Sequence, residues 1–148
     1  MSIFGRRPHV TGVVGDGFVA AEAPALQTSL VAALTMHERA AERPVTVELR
    51  VDRGRGTRLV LSARNVVIGF VPPDEVPLLA AQLPSGRALL VVPGVVYHQD
   101  GLWRLWVGPE PSSFPAPADD LDTLPVPDPS IAGIPLKILR PKDDDDDR

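Results

Sequence analysis

The most regular hydrophobic pattern in the chain is a strict alternation over residues 45–51. Valine or leucine occupies every second position, and polar side chains occupy the positions between them. Because successive side chains of a β-strand point to opposite faces, this pattern predicts a strand with one buried face and one wet face. Other apolar runs, separated by polar or glycine-bearing turns, predict further strands at 10–14, 18–20, 59–62, 66–71, 87–98 and 102–107.

Two stretches predict helices. The first begins at Leu26, and its apolar residues recur at helical spacing until a proline ends the helix near Glu42. The second is short and follows the Pro72-Pro73 pair, with Asp74 as its N-cap. The pattern as a whole is mainly β with two helices (α+β). Its many short connections favour a small, partly closed β-barrel with helices over an open edge or end.

The composition changes after Gly108. Seven prolines fall between residues 109 and 129, interleaved with Ser, Ala and Asp, which predicts a disordered acidic tail without a core. We therefore divide the chain into a flexible N-terminus (1–9), a β-barrel domain (10–108) and a tail (109–148). An apolar island at 131–139 interrupts the tail, and such islands often dock in cis or in trans. Its candidate partner-docking residues are Ile131, Ile134, Leu136, Ile138 and Leu139.

Charge is distributed unevenly between these parts. Residues 1–108 carry eleven Lys or Arg and nine Asp or Glu, a net charge of +2, whereas residues 109–148 carry four and ten, a net charge of −6. A mildly basic body suits an anionic partner, and an acidic tail suits competition with that partner or recruitment of another one. A tail that merely solubilises the protein is the plainer interpretation.

The residue types present exclude several kinds of chemistry. The chain has no cysteine, so disulfides, thiolate metal sites and thiol nucleophiles are ruled out. Its three histidines lack metal-ligand spacing, and no serine lies in a nucleophile-elbow pattern. We expect no enzyme activity, no catalytic residues, no cofactor and no metal. No apolar run approaches the roughly 18 residues of a membrane span, so we expect a cytoplasmic protein without a membrane partner.

Arginine and aromatic side chains are the candidates for a binding site. Guanidinium groups on one edge of the sheet would contact phosphates, although a solvated arginine-rich hairpin is the plainer interpretation. Tyr97 is a candidate for stacking on bases. Trp103 and Trp106 are three positions apart in one predicted strand, so they should face opposite ways, and core packing is the plainer interpretation for both. The predicted nucleic-acid-binding residues are Arg50, Arg53, Arg55, Arg58, Arg64 and Tyr97.

The order of these elements resembles the HIRAN domain, which occurs alone in bacteria and phages and fused to SWI/SNF-type DNA-repair ATPases in eukaryotes. The resemblance covers residues 10–108. It rests on Gly12-Val13-Val14-Gly15, on the alternating strand at 45–49, and on the 67–72 segment (Val-Ile-Gly-Phe-Val-Pro) with the helix that follows it. It implies a modified OB-like β-barrel that binds DNA, notably single-stranded 3′ ends, without catalysis. The segment 52–58 departs from the family's pattern, so no individual ligand contact is carried over.

These observations together predict a non-enzymatic nucleic-acid-binding domain. Its ligand would be single-stranded DNA or DNA ends, and its acidic tail would modulate binding. The alternative is a protein-interaction or scaffold module, in which the island at 131–139 docks on a partner protein or on the barrel itself.

Overall fold

The computed structural model describes residues 7–126 and the backbone of residues 130–131 and 134–135. Its main sheet has seven strands in the order β2-β7-β6-β3-β4-β5, with β1 added in parallel beside β6. The six strands of that order run antiparallel and curl into an open half-barrel, which confirms the mainly β prediction. The strands of this sheet are β1 (His9–Thr11), β2 (Phe18–Val19), β3 (Val45–Arg53), β4 (Leu59–Ala63), β5 (Val66–Phe70), β6 (Leu89–Gln99) and β7 (Leu102–Val107).

Three short α-helices and two 3-10 turns lie between the strands. Helix α1 packs against β5 and β7, and its Leu30 is completely buried. Helix α3 contributes the buried Leu79 to the same core. The helices are α1 (Gln27–Ala32), α2 (Met36–Ala41) and α3 (Val76–Ala80), and the 3-10 turns are Ala23–Leu26 and Pro73–Glu75.

The helix predicted from Leu26 to Glu42 is in fact two helices. Thr35 interrupts it, because its hydroxyl accepts a hydrogen bond from the Glu38 backbone N–H while the Glu38 carboxylate accepts one from the Thr35 N–H. This reciprocal capping box starts a new helix, α2, which buries none of its residues. The break is caused by side-chain capping, and the spacing of apolar residues gives no information about capping.

The predicted N-cap of the second helix is also different. Asp74 lies inside the 3-10 turn Pro73–Glu75, makes no capping hydrogen bond, and precedes a helix that begins at Val76. The Pro72-Pro73 pair explains the difference, since Pro73 starts the turn itself with its pre-set φ.

The centre of the sheet is the antiparallel pair β3 and β6. Leu49 and Val51 lie opposite Val92 and Leu90, and all four side chains are buried. The polar residues that alternate with Leu49 and Val51 along β3 lie on the opposite face of the strand, as the alternation predicts. The predicted turns between strands are present as well, because Arg64-Asn65 and Asp100-Gly101 have positive φ and connect the hairpins β4–β5 and β6–β7.

One pair of hydrogen bonds joins the two ends of the curled sheet. The Ala21 N–H donates to the Phe70 carbonyl at 2.8 Å, and the Phe70 N–H donates back to Ala21 at 3.2 Å. Gly69 permits this approach, because a Cβ there would lie 3.0 Å from the Ala20 side chain and 3.1 Å from that of Leu105.

Gly94 allows strand β6 to pass close to the Leu49 side chain of β3. A Cβ at this position would lie within 2.7 Å of Leu49 Cγ and 3.1 Å of the Trp106 carbonyl oxygen. We therefore expect Gly94→Ala to lower the free energy of unfolding by about 1–3 kcal/mol through overpacking. Urea unfolding followed by tryptophan fluorescence measures the change.

The neighbouring Pro93→Ala substitution is the control, because Pro93 is exposed on the same strand. It should change the unfolding free energy by less than about 1 kcal/mol. If the two substitutions changed the free energy of unfolding equally, close packing around Gly94 would not be the cause of the destabilisation.

Candidate functional site

The five predicted arginines separate into three places. Arg50 and Arg64 line one cleft of about 390 Å³, Arg55 and Arg58 line a second of about 510 Å³, and Arg53 lines a third of about 190 Å³. The structure therefore brings the arginines together as two separate pairs and one single residue. The predicted single edge of guanidinium groups is not present, because the residues line three different clefts.

Carboxylates engage the two arginines of the first cleft. Arg50 Nε lies 2.8 Å from Asp52 Oδ2, and the Arg64 guanidinium donates to both oxygens of Glu38 at 2.6 and 3.2 Å. The hydrogen bond from Arg64, followed by that from the Thr35 N–H, lowers the pKa of Glu38 from 4.5 to about 2. The same bond raises the pKa of Arg64. Arg64 thus fastens helix α2 to the β4–β5 turn, and its charge is already neutralised.

The Glu38–Arg64 pair predicts a pH dependence of stability. Because folding depresses the pKa of Glu38, its ionised form stabilises the folded state above about pH 4.5, and this contribution is lost as the pH falls towards 2. Glu38→Gln should lower the unfolding free energy at pH 7, and the difference from the wild type should shrink between pH 4.5 and 2. Urea unfolding across this range measures it.

Glu75→Gln is the control, since Glu75 forms no ion pair within residues 7–126. A constant difference between Glu38→Gln and the wild type at every pH would contradict the assigned pKa.

The second cleft combines two arginines that form no ion pair within residues 7–126 with an aromatic ring. Arg55 and Arg58 are exposed on the β3–β4 loop, and the Arg58 guanidinium lies over the Phe70 ring, 4.7 Å from its centroid. Hydrogen bonds between Gly54 N and the Arg58 carbonyl (2.8 Å) and between Arg58 N and the Arg55 carbonyl (3.0 Å) hold the loop in a tight turn. We call this site the arginine cleft. Its other lining residues are Ala21, Glu22, Thr57, Val71, Pro73, Val76, Pro77, Asp120, Leu121 and Thr123.

Tyr97 lies beneath the first part of the tail. Only 1% of its surface is exposed, and the Phe114 ring stacks on it with centroids 3.9 Å apart and planes 5° apart. Burial raises the pKa of the Tyr97 hydroxyl. The edge of Trp106 meets the same Phe114 ring, with centroids 6.4 Å apart. The aromatic platform predicted for a base is therefore occupied by a side chain of the same protein.

The two tryptophans face opposite ways, as their spacing predicts. Trp103 joins the core of the half-barrel, whereas Trp106 joins a smaller apolar cluster on the other face of the sheet. We call that second surface the outer face. It is formed by Val19, Val95, Tyr97, Gln99, Arg104 and Trp106.

Residues 109–124, which we call the strap, cross the outer face and end in a clamp around Glu22. The Glu22 carboxylate, on a residue only 4% exposed, accepts hydrogen bonds from Thr123 N (2.9 Å), Thr123 Oγ1 (2.8 Å) and Leu124 N (2.8 Å). The Glu22 N–H donates to Asp122 Oδ1 at 2.7 Å, and Asp122 Oδ2 lies 3.2 Å from Arg104 Nη2. The strap thus satisfies the buried polar groups of Glu22 and one terminal nitrogen of the buried Arg104.

The strap differs from the disordered tail that the sequence predicts after Gly108. Residues 109–126 contain no helix or strand, but they pack against the body through Phe114 and Leu121. Sequence reasoning missed Phe114, Asp122 and Glu22. The one available signal was the single aromatic residue of the proline-rich stretch, since segments that lack a core are poor in aromatic residues.

The predicted island at 131–139 and the rest of the tail lie outside the described residues, except for the backbone of two short strands. These strands, β8 (Ser130–Ile131) and β9 (Ile134–Pro135), pair antiparallel. The predicted flexible N-terminus also lies mostly outside the described part, and His9 already belongs to β1.

Comparisons with protein-family models, with characterised proteins and with solved structures found no match to this chain. The resemblance to the HIRAN domain therefore stays a prediction. Among the described residues, no helix has the length and apolar character needed to cross a membrane. In the same part of the chain, no three His, Asp or Glu side chains are grouped as a metal site requires.

The clamp predicts that Glu22 controls access to the strap. Glu22→Ala removes three hydrogen bonds to a buried carboxylate, each of which contributes about 1.5–3 kcal/mol. We expect the strap to detach more often, so that endoproteinase Asp-N, which cuts on the N-terminal side of aspartate, cleaves before Asp122 at least about tenfold faster than in the wild type. Mass spectrometry of a digestion time course measures the rate.

Glu42→Ala is the matched control, because Glu42 also has a left-handed backbone, with φ of 51° against 75° for Glu22, but it is exposed. If both variants were cleaved at the same rate, the clamp would not hold the strap.

Proposed function

We propose that this protein is a non-enzymatic module that binds single-stranded nucleic acid in the arginine cleft. One observation carries the proposal: two exposed arginines, Arg55 and Arg58, line a cleft of about 510 Å³, and the Arg58 guanidinium lies over the half-buried ring of Phe70. A guanidinium contacts phosphate oxygens in a bidentate manner, and its plane, like an aromatic ring, stacks on a base. The cleft offers both kinds of contact within one site, with Phe70 supporting the Arg58 plane.

The surroundings of the cleft support this chemistry. Its lining includes the apolar side chains of Val71, Val76 and Pro77, which suit the face of a base or sugar. Arg55 and Arg58 form no ion pair within residues 7–126, in contrast to Arg50 and Arg64. Binding a phosphate would therefore not require breaking a protein ion pair at either residue.

The strap supports a modulating role for the tail. Asp120 brings a carboxylate to the same cleft as Arg55 and Arg58. A carboxylate there attracts the two guanidinium groups and repels a phosphate, so it weakens the binding of an anionic polymer. The tail would then set the affinity without blocking the cleft completely.

A protein-interaction role is the second candidate, and one observation favours it. The strap packs on the outer face in cis, so this face already contacts an extended segment of the same chain. The contact is made by residues 109–124, upstream of the island at 131–139 that the sequence singled out.

Fluorescence anisotropy of a labelled single-stranded oligonucleotide with a free 3′ end tests the leading proposal. Arg55→Ala together with Arg58→Ala should weaken binding about tenfold or more. It should also reduce the slope of log K against log salt by about 0.7 for each phosphate that the arginines no longer neutralise. Asp120→Asn should tighten binding in the same titration, because it removes the competing carboxylate.

The matched control is Arg39→Ala together with Arg43→Ala, which removes the same charge from exposed positions in and beyond α2. Equal weakening by the two double variants would indicate a general charge effect and reject the cleft. No binding by the wild type or by Asp120→Asn at low salt would reject nucleic acid as the ligand.

A further inference from the structure

The strap leaves polar atoms of the outer face without hydrogen bonds. Tyr97 OH, Gln99 Oε1 and Arg104 Nη1 are buried and have no partner among the described residues. They form one patch, because Tyr97 and Arg104 are directly opposite each other on β6 and β7, and Gln99 is two residues farther along β6. Leaving a buried polar group without a hydrogen bond destabilises the folded state, so the strap is an imperfect occupant of this surface.

The strap is also loosely integrated into the fold. It adds no strand to the sheet, and side chains of the sheet, rather than a ladder, hold its backbone. Gln99 Nε2 donates to the Phe114 carbonyl at 3.3 Å, and Trp106 Nε1 donates to the Pro109 carbonyl at 2.8 Å. Detaching the strap breaks these contacts and the Glu22 clamp but leaves every pairing of the main sheet intact.

These contacts are those of a peptide-recognition surface. Extended proline-rich segments bind to surfaces lined with aromatic side chains, and polar side chains there donate to the carbonyls that such segments leave free. Here Trp106 supplies such a donor, Tyr97 supplies a flat ring, and Arg104, only 7% exposed, supplies a cation.

We propose that the outer face is a binding site for an extended, proline-rich acidic segment of another protein, and that the strap is its displaceable internal occupant. The incoming segment places an aromatic residue on Tyr97 and a carboxylate on Arg104, in the positions of Phe114 and Asp122. A carboxylate that reaches both terminal nitrogens of Arg104 forms a bidentate pair, whereas Asp122 contacts Nη2 alone. This proposal does not depend on the arginine cleft binding nucleic acid.

The chemistry of the face favours a peptide over a nucleic acid. Glu22 receives two backbone N–H groups and one hydroxyl from the strap. A peptide offers such N–H donors at every non-proline residue, whereas the sugar-phosphate backbone of a nucleic acid carries no N–H donor. The two side-chain donors, Gln99 and Trp106, fit peptide carbonyls.

Binding at the outer face would also change the arginine cleft. Asp120, Leu121 and Thr123 line that cleft while they belong to the strap. A partner that displaces the strap therefore removes a carboxylate from beside Arg55 and Arg58.

The test uses the full chain and a labelled synthetic peptide with the sequence of residues 109–126. Phe114→Ala in the chain weakens the internal strap and leaves the outer face unchanged. Because a tethered strap has an effective concentration in the millimolar range, the wild type should bind the peptide weakly. We expect the Phe114→Ala chain to bind it at least about tenfold more tightly in fluorescence anisotropy.

Two controls identify the contacts. Val126→Ala in the chain removes an exposed side chain just beyond the strap, so its binding of the peptide should equal that of the wild type. Peptides that carry Phe114→Ala or Asp122→Asn should bind the Phe114→Ala chain at least about tenfold more weakly than the native peptide. A scrambled peptide should not bind.

Several outcomes would overturn the proposal. One is absence of native-peptide binding by a Phe114→Ala chain that keeps the near-ultraviolet circular dichroism of the wild type, and another is equal binding of native and scrambled peptides. If a single-stranded oligonucleotide displaced the peptide, the occupant of the outer face would be nucleic acid. If the variant dimerised by exchanging straps, the occupant would be a second copy of this chain. If Phe114→Ala fails to fold, Asp122→Asn replaces it with the same expectations.

Discussion

The short segment 19–22 holds together three parts of the molecule that are far apart in sequence. Ala20 N donates to the Leu105 carbonyl of β7, Ala21 exchanges two hydrogen bonds with Phe70 of β5, and Glu22 clamps the strap. The left-handed backbone of Glu22 costs a non-glycine residue about 1–2 kcal/mol, and the four hydrogen bonds that this residue makes to the strap offset it. Both the curl of the sheet and the course of the tail depend on this one crossing.

Local patterns predicted the parts of the fold that local interactions determine. The alternation on β3, the turn at Arg64-Asn65 and the opposite facing of Trp103 and Trp106 follow from strand geometry, which a few neighbouring residues specify. The helix break at Thr35 is also local, but it depends on a capping box that competes with continuous helix, and apolar spacing alone does not reveal which wins.

The candidate site was predicted less well because long-range partners decide it. Arg64 lies on the predicted hairpin, yet Glu38, from a helix 26 residues earlier, neutralises it. Tyr97 is an aromatic residue of the type that stacks on bases, yet the Phe114 ring covers it, and Phe114 comes from a segment without hydrophobic periodicity. Patterns of spacing carry no information about which distant residue approaches a given strand face. Two of the predicted arginines, Arg55 and Arg58, did come together, because they share one tight loop.

The two candidate surfaces of this protein share one covering element. The strap contributes Phe114 to the outer face and Asp120 to the arginine cleft, so an event at either surface changes the energy of the other. This sharing is thermodynamic linkage, and it acts in both directions. If a ligand at one surface removes the strap and so raises the affinity of the second surface for its own ligand, then the second ligand raises the affinity of the first surface by the same factor.

The position of the strap in the chain has a consequence for biosynthesis. The clamp joins residues that are 100 to 102 positions apart, and all strands of the half-barrel precede the strap in the sequence. A ribosome therefore releases Tyr97 and Trp106 before the segment that covers them. For that interval the nascent chain exposes an aromatic surface, which is open to chaperones and to any partner that binds during translation.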